Sequence, residues 1–184
     1  LVEGSVDIGG TRTSVAMQMA EVLGIPIEDI IPIVPDTDSV NFTGVTGGSR
    51  VTYATGYAAF EAAHEIVRQM ADGVADIWEV DRQDVEFEDG KFSSNGKAAT
   101  FKEAAELLDD EEIGILGTAS VSPSRAGNTF TVQVADIEVD IETGKVQVLR
   151  YTGTQDAGIA IYPPYVEGQL QGGIVQGIGW ALNE

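Results

Sequence analysis

The sequence contains no cysteine and only one histidine, His64, among its 184 residues. The absence of cysteine excludes disulfides, cysteine-ligated zinc and iron–sulfur clusters held by this chain. The single histidine lies in an alanine-rich run with helical character, AAFEAAHEIVRQMA, which gives little basis for a Ser-His-Asp triad. We therefore interpret His64 as an ordinary surface or boundary residue.

Basic residues are scarce as well: 10 lysines and arginines stand against 30 acidic residues, a formal net charge of −20. Nucleic-acid binding is disfavoured, because it depends on basic patches. The acidic residues are scattered along the chain and do not form a tail. This distribution indicates either a solvated surface suited to a high-salt (halophilic) cytoplasm or an ordinary acidic protein whose basic partners lie elsewhere.

Long apolar runs are also missing, since no segment reaches the roughly 18 residues that a membrane span needs. The first residues, LVEGSVDIGG, have neither the basic nor the apolar region of a signal peptide. We therefore expect a cytoplasmic protein with no membrane span. The lack of an initiator methionine and the abrupt ends predict a piece of a longer chain.

Hydrophobic periodicity predicts helices over residues 12–23, 50–71 and 101–108 and from Val166 onward. Strands are predicted over 2–8, 30–34, 129–140 and 145–151, with a loop over 153–164 and hairpin turns at Asp89-Gly90 and at ETG. The fold class is therefore α+β, with a mixed or antiparallel sheet, β-hairpins and packed helices. We expect a single domain over 1–184, with sub-lobes 1–112 and 113–184.

Two glycine-rich segments precede predicted helices: DIGGTRT (7–13) and TGGSR (46–50). Backbone amides at a helix N-terminus bind anions, and Arg50 beside them suits a phosphate. The alternative for TGGSR is a helix capped by Ser49 after a flexible lead-in. DIGGT is also similar to the phosphate hairpin of actin-like sugar kinases, but that motif leads into a strand, whereas SVAMQMAEVLG has helical periodicity.

The closing segment, VEGQLQGGIVQGIGWALNE, combines helical periodicity with five glycines, each costing about 1 kcal/mol relative to alanine. A core stripe is predicted for Val166, Leu170, Ile174, Ile178 and Leu182. A second face carries Gln169, Gly173, Gln176 and Trp180, with amide donors and acceptors beside bare backbone. Spacing leaves two uses for this face open: binding a large polar ligand or close helix packing.

Taken in order, DIGGTRT, LGIPIEDI, DTD, TGGSR, VADIEVDIETGKVQVLRY, DAGIAIYP and VEGQLQGGIVQGIGWAL resemble one family. It is the large, molybdenum-cofactor-binding subunit of the xanthine dehydrogenase family, which includes aldehyde oxidases and aerobic carbon monoxide dehydrogenases. The resemblance runs from Gly4 to Glu184. It implies molybdenum held by the dithiolene of molybdopterin, with the cytosine dinucleotide form favoured and no metal ligand from the protein.

The resemblance also implies a reaction and partners. The reaction is oxidative hydroxylation of an aldehyde, an N-heterocycle, carbon monoxide or a related small-molecule substrate, with water as the oxygen source. The implied partners are the remainder of the large subunit, an iron–sulfur small subunit with 2Fe-2S clusters and a medium subunit with FAD. A non-catalytic packing or assembly module of the same subunit is the alternative.

Residue by residue, the resemblance assigns cofactor contacts to three groups of positions. The first loop would line the pterin dinucleotide, the second would bind its phosphates, and the last group would lie near the nucleotide, the pterin or the metal. In that order they are Gly9, Gly10, Thr11, Arg12 and Thr13; Ser49, Arg50, Val51 and Thr52; and Asp156, Ile159, Ala160, Ile161, Tyr162, Gln169 and Gln176.

Three departures from the family pattern are visible. The first loop lacks the usual glutamine and is one residue shorter, and Tyr162 stands where asparagine is common. The family's catalytic glutamate lies in a G-x-G-E segment after the last helix, and the sequence reaches Glu184 without one. We therefore expect no catalytic residue within these 184 residues and no turnover by the isolated chain.

Overall fold

A computed structural model describes residues 1–40, 42–123 and 127–184. The chain divides into two compact units, Leu1–Ala126 and Gly127–Glu184, whereas the boundary expected from the sequence falls after Glu112. Helices and antiparallel strands are both present, and the predicted α+β class is confirmed. Among the described residues, no helix combines the length and apolar character needed to cross a bilayer.

The first unit is built around one long helix. Its elements are α1 (Thr11–Leu23), α2 (Val51–Trp78), β1 (Glu86–Glu88), β2 (Lys91–Ser94), β3 (Lys97–Thr100) and α3 (Phe101–Asp110), with 3-10 turns at Ile27–Asp29 and Arg82–Asp84. One end of α2 buries Ala59 and Ala63 against Val15 and Met19 of α1. The other end buries side chains such as Met70 and Trp78 against the sheet and α3. Alanines on α2 let α1 approach closely, so the start of α2 lies beside α1.

Strands β1, β2 and β3 form an antiparallel meander. Its turns, Asp89-Gly90 and Asn95-Gly96, both have two consecutive residues with positive φ, as tight hairpin turns require. The predicted hairpin at Asp89-Gly90 is confirmed. The third strand was not predicted, because KAAT is short and lacks apolar alternation.

The helix ends follow known capping chemistry. Gly24 adopts the left-handed conformation after α1 and donates to the Ala20 carbonyl, as its position predicts. At the end of α2, the Lys97 ammonium donates to the Trp78 carbonyl at 2.7 Å. This contact satisfies an orphan acceptor and places a cation at the negative end of the helix.

The second unit is a long hairpin with one helix against it. Strands β4 (Phe130–Val139) and β5 (Val146–Asp156) pair antiparallel, with a register shift at Asp136/Ile137. Helix α4 (Pro163–Leu182) packs on β5, where a Cβ at Gly153 would lie only 2.8 Å from Ile174 Cδ1. None of the described residues of this unit is buried.

Several predicted boundaries are wrong. The predicted strands 2–8 and 30–34 reduce to a single parallel bridge, Val2↔Ile33, because no further strand pairs with either segment among the described residues. Helix α2 continues past residue 71 to Trp78, since Gly73 fits beneath the Leu108 side chain. Residues 153–156 belong to β5 rather than to a loop, and α4 starts at Pro163, a residue suited to the first helical position.

Candidate functional site

The segment TGGSR precedes α2, whose first backbone donors have no partner among the residues that the structure describes. Gly48 and Ser49 have φ of 63° and 56°, and the first helical hydrogen bond runs from the Ala54 amide to the Arg50 carbonyl at 2.8 Å. The amides of the first three helical residues, Val51 to Tyr53, donate to no acceptor within the described part of the chain. They are oriented donors at the positive end of a 28-residue helix.

Ser49 does not cap this helix, so that prediction is wrong. The N-cap position belongs to Arg50, and no side chain of the described residues accepts a hydrogen bond there. An N-cap residue needs an extended backbone, whereas Ser49 is left-handed, with φ of 56°. The donors that Ser49 was expected to satisfy therefore stay available.

Arg50 adds a cation to the same turn. Its guanidinium lies over Gly44, where a Cβ would be 2.9 Å from Nη2 and 3.0 Å from Nη1. Arg50 forms no ion pair with any residue in the described ranges. A cation at a helix N-terminus is electrostatically unfavourable, so an anion would satisfy both Arg50 and the amides. Cβ atoms at Gly47 and Gly48 would meet no described atom within 4 Å, so these residues leave room for a ligand.

The first glycine loop is arranged differently. Gly10 is the N-cap of α1, with φ of 77°, and Thr11 to Thr13 form its first turn. The Asp7 carboxylate accepts from the Arg12 amide at 3.1 Å and from the Arg12 guanidinium at 3.2 Å. A carboxylate thus occupies the place of an anion at this helix end. Because α1 follows the glycines directly, the strand that a sugar-kinase hairpin requires is not formed.

Glu3, Ser5 and Thr55 support the start of α2, although the sequence did not indicate them as site residues. The Ser5 and Thr55 hydroxyls share a hydrogen bond of 2.6 Å, and Ser5 N donates to Glu3 Oε2 at 2.9 Å. Glu3 is only 7% exposed, and this burial raises the pKa of its carboxyl above the ordinary value of 4.5. Burial disfavours the charged form of a carboxyl group, which is the physical cause of this shift. No local sequence signal could reveal this contact, because Ser5 and Thr55 are 50 residues apart.

In the second unit, the predicted positions around 156–162 form the connection from β5 to α4. Asp156 ends β5, and its Oδ1 accepts from the Gly158 amide at 2.9 Å. Ile159 is 93% exposed, and the Tyr162 ring meets Tyr165 edge-on at 4.6 Å. Since α4 begins with two prolines, its first turn lacks two of the amides that could bind an anion.

Helix α4 presents two faces. Val166, Leu170, Ile174 and Ile178 are half-buried, as the predicted core stripe requires, whereas Leu182 is exposed. Gln169 and Gln176 are exposed and form no side-chain hydrogen bond with the described residues. Cβ atoms at Gly168, Gly172, Gly173 and Gly177 would meet nothing within 4 Å. Packing within the described chain therefore does not account for these glycines.

Comparisons with known proteins find similarity over nearly the full chain. A family model described as "Molybdopterin cofactor-binding domain" matches residues 1–184. The nicotine 6-hydroxylase large subunit of Paenarthrobacter nicotinovorans is 31% identical over 95% of this chain and 23% of its own length. The carbon monoxide dehydrogenase large chain of Hydrogenophaga pseudoflava is 28% identical over 95% of this chain and 23% of its own length.

A solved structure shows the same similarity. The crystal structure of a Cu,Mo-CO dehydrogenase in its carbon monoxide reduced state superposes with a TM-score of 0.84 and 28% identity. The match covers 94% of this chain and 23% of that one. The chain thus spans about a quarter of the length of the curated relatives it matches.

Proposed function

Because the chain belongs to the molybdopterin cofactor-binding domain family, we propose that it forms part of the cofactor cradle of a molybdenum hydroxylase large subunit of the xanthine dehydrogenase family. The relatives named above are a large subunit and a large chain of this kind. The cofactor is molybdopterin with molybdenum, in its cytosine dinucleotide form. When bound, it supplies the redox-active metal at which oxygen from water is added to the substrate.

The observation that carries this proposal is the start of α2. Donors that no described residue satisfies lie at Val51, Thr52 and Tyr53. Beside them lie the backbone of Gly47 and Gly48 and the guanidinium of Arg50, which pairs with no carboxylate of the described residues. This donor set is suited to a phosphate of the dinucleotide. In this cradle Ser49 contributes its exposed hydroxyl and backbone, and Arg50 supplies the compensating charge.

The remaining contacts are proposed at two places. Gly9, Gly10, Thr11, Arg12 and Thr13 border the pterin dinucleotide, and a phosphate there has to displace the Asp7 carboxylate from the Arg12 amide. In the second unit, Gln169 and Gln176 offer amide groups to the pterin, with Gln176 nearer the metal. Asp156 and the connection formed by Ile159, Ala160, Ile161 and Tyr162 lie towards the nucleotide.

The whole protein's reaction is proposed as oxidative hydroxylation of an aldehyde, an N-heterocycle, carbon monoxide or a related small molecule. Electrons leave through 2Fe-2S clusters and FAD on partner subunits or domains, which suits a chain without cysteine. The isolated chain is inactive, because the expected glutamate base is not among its residues.

The test uses the full-length subunit produced with its partner subunits. We expect molybdenum, together with cytidine nucleotide released by acid, in each assembled complex, and Arg50→Ala should lower both several-fold. Arg68→Ala is the matched control, because Arg68 lies on the same helix but pairs with Glu65 and Asp72. An unsubstituted complex that matures and assembles without molybdenum would refute the proposal.

A packing or assembly role is the second candidate, favoured by the exposed glycine face of α4. Gln176→Ala separates the two roles in the full-length protein. Lost activity with normal assembly supports a cofactor contact, whereas lost assembly supports packing. Gln171→Ala serves as the control, because Gln171 is also exposed on α4 but lies off the face shared by Gln169 and Gln176.

A further inference from the structure

Gln18 joins α1 to the first turn of α2. Its Nε2 donates to the Ser14 carbonyl at 3.3 Å, one turn earlier in α1, and to the Thr52 carbonyl at 3.2 Å. The second bond links residues 34 positions apart in the sequence. One carboxamide therefore bridges the backbones of two helices at the turn formed by Arg50 and the amides of Val51 to Tyr53.

Gly56 makes this bridge sterically feasible. It is buried in α2, and a Cβ there would overlap the Oε1, Nε2 and Cδ atoms of Gln18. Glycine weakens a helix interior relative to alanine, so this position has a local cost. The cost is explained by the contact, because only a bare Cα lets the Gln18 carboxamide lie against α2.

The turn that Gln18 holds is anchored by the buried Val51 side chain but by few hydrogen bonds. The first turn of a helix has the fewest internal hydrogen bonds, and no side chain in the described ranges caps α2. Apart from Gln18, the Ser5–Thr55 hydroxyl pair is the side-chain hydrogen bond that fastens this turn to the rest of the described unit. Loss of the Gln18 bridge would leave the orientation of Arg50 and of the adjacent amides less restricted.

We propose that Gln18 is a positioning residue for the phosphate-binding turn at the start of α2. It holds Arg50 and the amides of Val51 to Tyr53 in the orientation that binds the cofactor, and it acts through the Thr52 carbonyl without touching the phosphate. This inference rests on the proposed function of that turn.

The test is Gln18→Met in the full-length subunit assembled with its partners. Methionine has nearly the same shape and still fills the space beside Gly56, but it cannot donate to either carbonyl. We expect cofactor retention to fall about fivefold, the size expected for loss of the one hydrogen bond that reaches the turn, at the Thr52 carbonyl. Retention is measured as molybdenum and released nucleotide per assembled complex after gel filtration.

Gln69→Met is the matched control for a purely structural loss. Gln69 also lies on α2, where its Nε2 donates to the Leu116 carbonyl at 2.9 Å and its Oε1 accepts from the Leu116 amide at 3.2 Å. We expect both variants to lower the melting temperature and only Gln18→Met to lower cofactor content per assembled complex. Equal cofactor loss in both variants would overturn the positioning role.

Arg50→Ala separates failure of this inference from failure of the proposed function. If Arg50→Ala lowers cofactor content and Gln18→Met does not, Gln18 does not position the turn, while the turn still binds the cofactor. If neither variant lowers cofactor content, the turn does not bind the cofactor, and the positioning role of Gln18 is wrong as well.

Discussion

At the residue scale, two glycines with the same backbone role differ in their surroundings. Gly90 and Gly96 each occupy the second position of a tight turn, with φ of 72° and 82°. The Gly90 backbone lies directly against Gly24, whereas a Cβ at Gly96 would meet nothing within 4 Å. The two positions therefore separate the cost of a left-handed alanine from the cost of a steric clash.

We predict that Gly96→Ala lowers the free energy of unfolding by about 1 kcal/mol, the usual cost of a left-handed alanine. Gly90→Ala should cost about 3 kcal/mol, because its methyl group also displaces the Gly24 backbone. Urea denaturation of both variants measures the difference. Equal losses would mean that the contact between Gly24 and Gly90 contributes nothing to stability.

At the element scale, α3 begins with a reciprocal capping box. The Thr100 hydroxyl accepts from the Glu103 amide at 3.3 Å, and the Glu103 carboxylate accepts from the Thr100 amide at 2.7 Å. The hydrogen bond from the Thr100 backbone, followed by that from its hydroxyl, lowers the pKa of Glu103 below its ordinary value of 4.5. The folded state therefore favours the ionised carboxylate.

This shift predicts a pH-dependent contribution to stability. A carboxyl group whose pKa is lowered by folding stabilises the fold above its unfolded pKa, and the contribution is lost as the pH falls through the folded pKa. Glu103→Gln keeps a capping side chain but removes the charge. The variant should be less stable than the unsubstituted chain at neutral pH, and the difference should shrink as the pH falls below 4.5.

Urea denaturation across this pH range tests the prediction. Glu106→Gln is the control, because Glu106 is exposed on the same helix outside the capping box. It removes one carboxylate from the same helix without touching the box, so an effect confined to Glu103→Gln identifies the capping box as its source. If the difference in stability between Glu103→Gln and the unsubstituted chain stays constant down to low pH, the charge of Glu103 is not the cause of the pH dependence.

The elements also show what the sequence alone could predict. Local signals located α1 with Gly24 at its end, the Asp89-Gly90 turn, the second hairpin and the half-buried stripe of α4. The order of the motifs identified the family, which the match over residues 1–184 confirms. The strand over 2–8 was wrong, because a strand depends on a partner that local alternation does not reveal.

The candidate site was predictable only in part, for the same reason. Arg50 beside a helix N-terminus is visible in the sequence, and so are the glycines before it. Its support from Ser5 and Gln18 depends on contacts across 50 and 34 residues of sequence, and no local pattern indicates them. The failed Ser49 cap has a local cause, the left-handed backbone of TGGSR, which propensity alone does not predict.

At the scale of the whole molecule, the two units differ in how much they bury. The first contains two clusters of buried side chains that share α2. The second buries none of its described residues, and large apolar side chains such as Phe130 and Trp180 are more than 70% exposed. A two-stranded hairpin is marginally stable by itself, and five glycines destabilise α4 by about 1 kcal/mol each.

We therefore predict that, in this 184-residue chain, backbone amides of α4 exchange with solvent far faster than those of the second half of α2. Replacing Gly172 and Gly177 by alanine should slow exchange in α4, because both sites are open and each change favours the helix by about 1 kcal/mol. Gly153→Ala should have the opposite effect, since its methyl group would meet Ile174 and Gln133. Hydrogen exchange followed by mass spectrometry measures the protection of α4 in the unsubstituted chain and in both variants. If α4 and α2 are equally protected in the unsubstituted chain, the second unit is stable without further packing and the prediction is wrong.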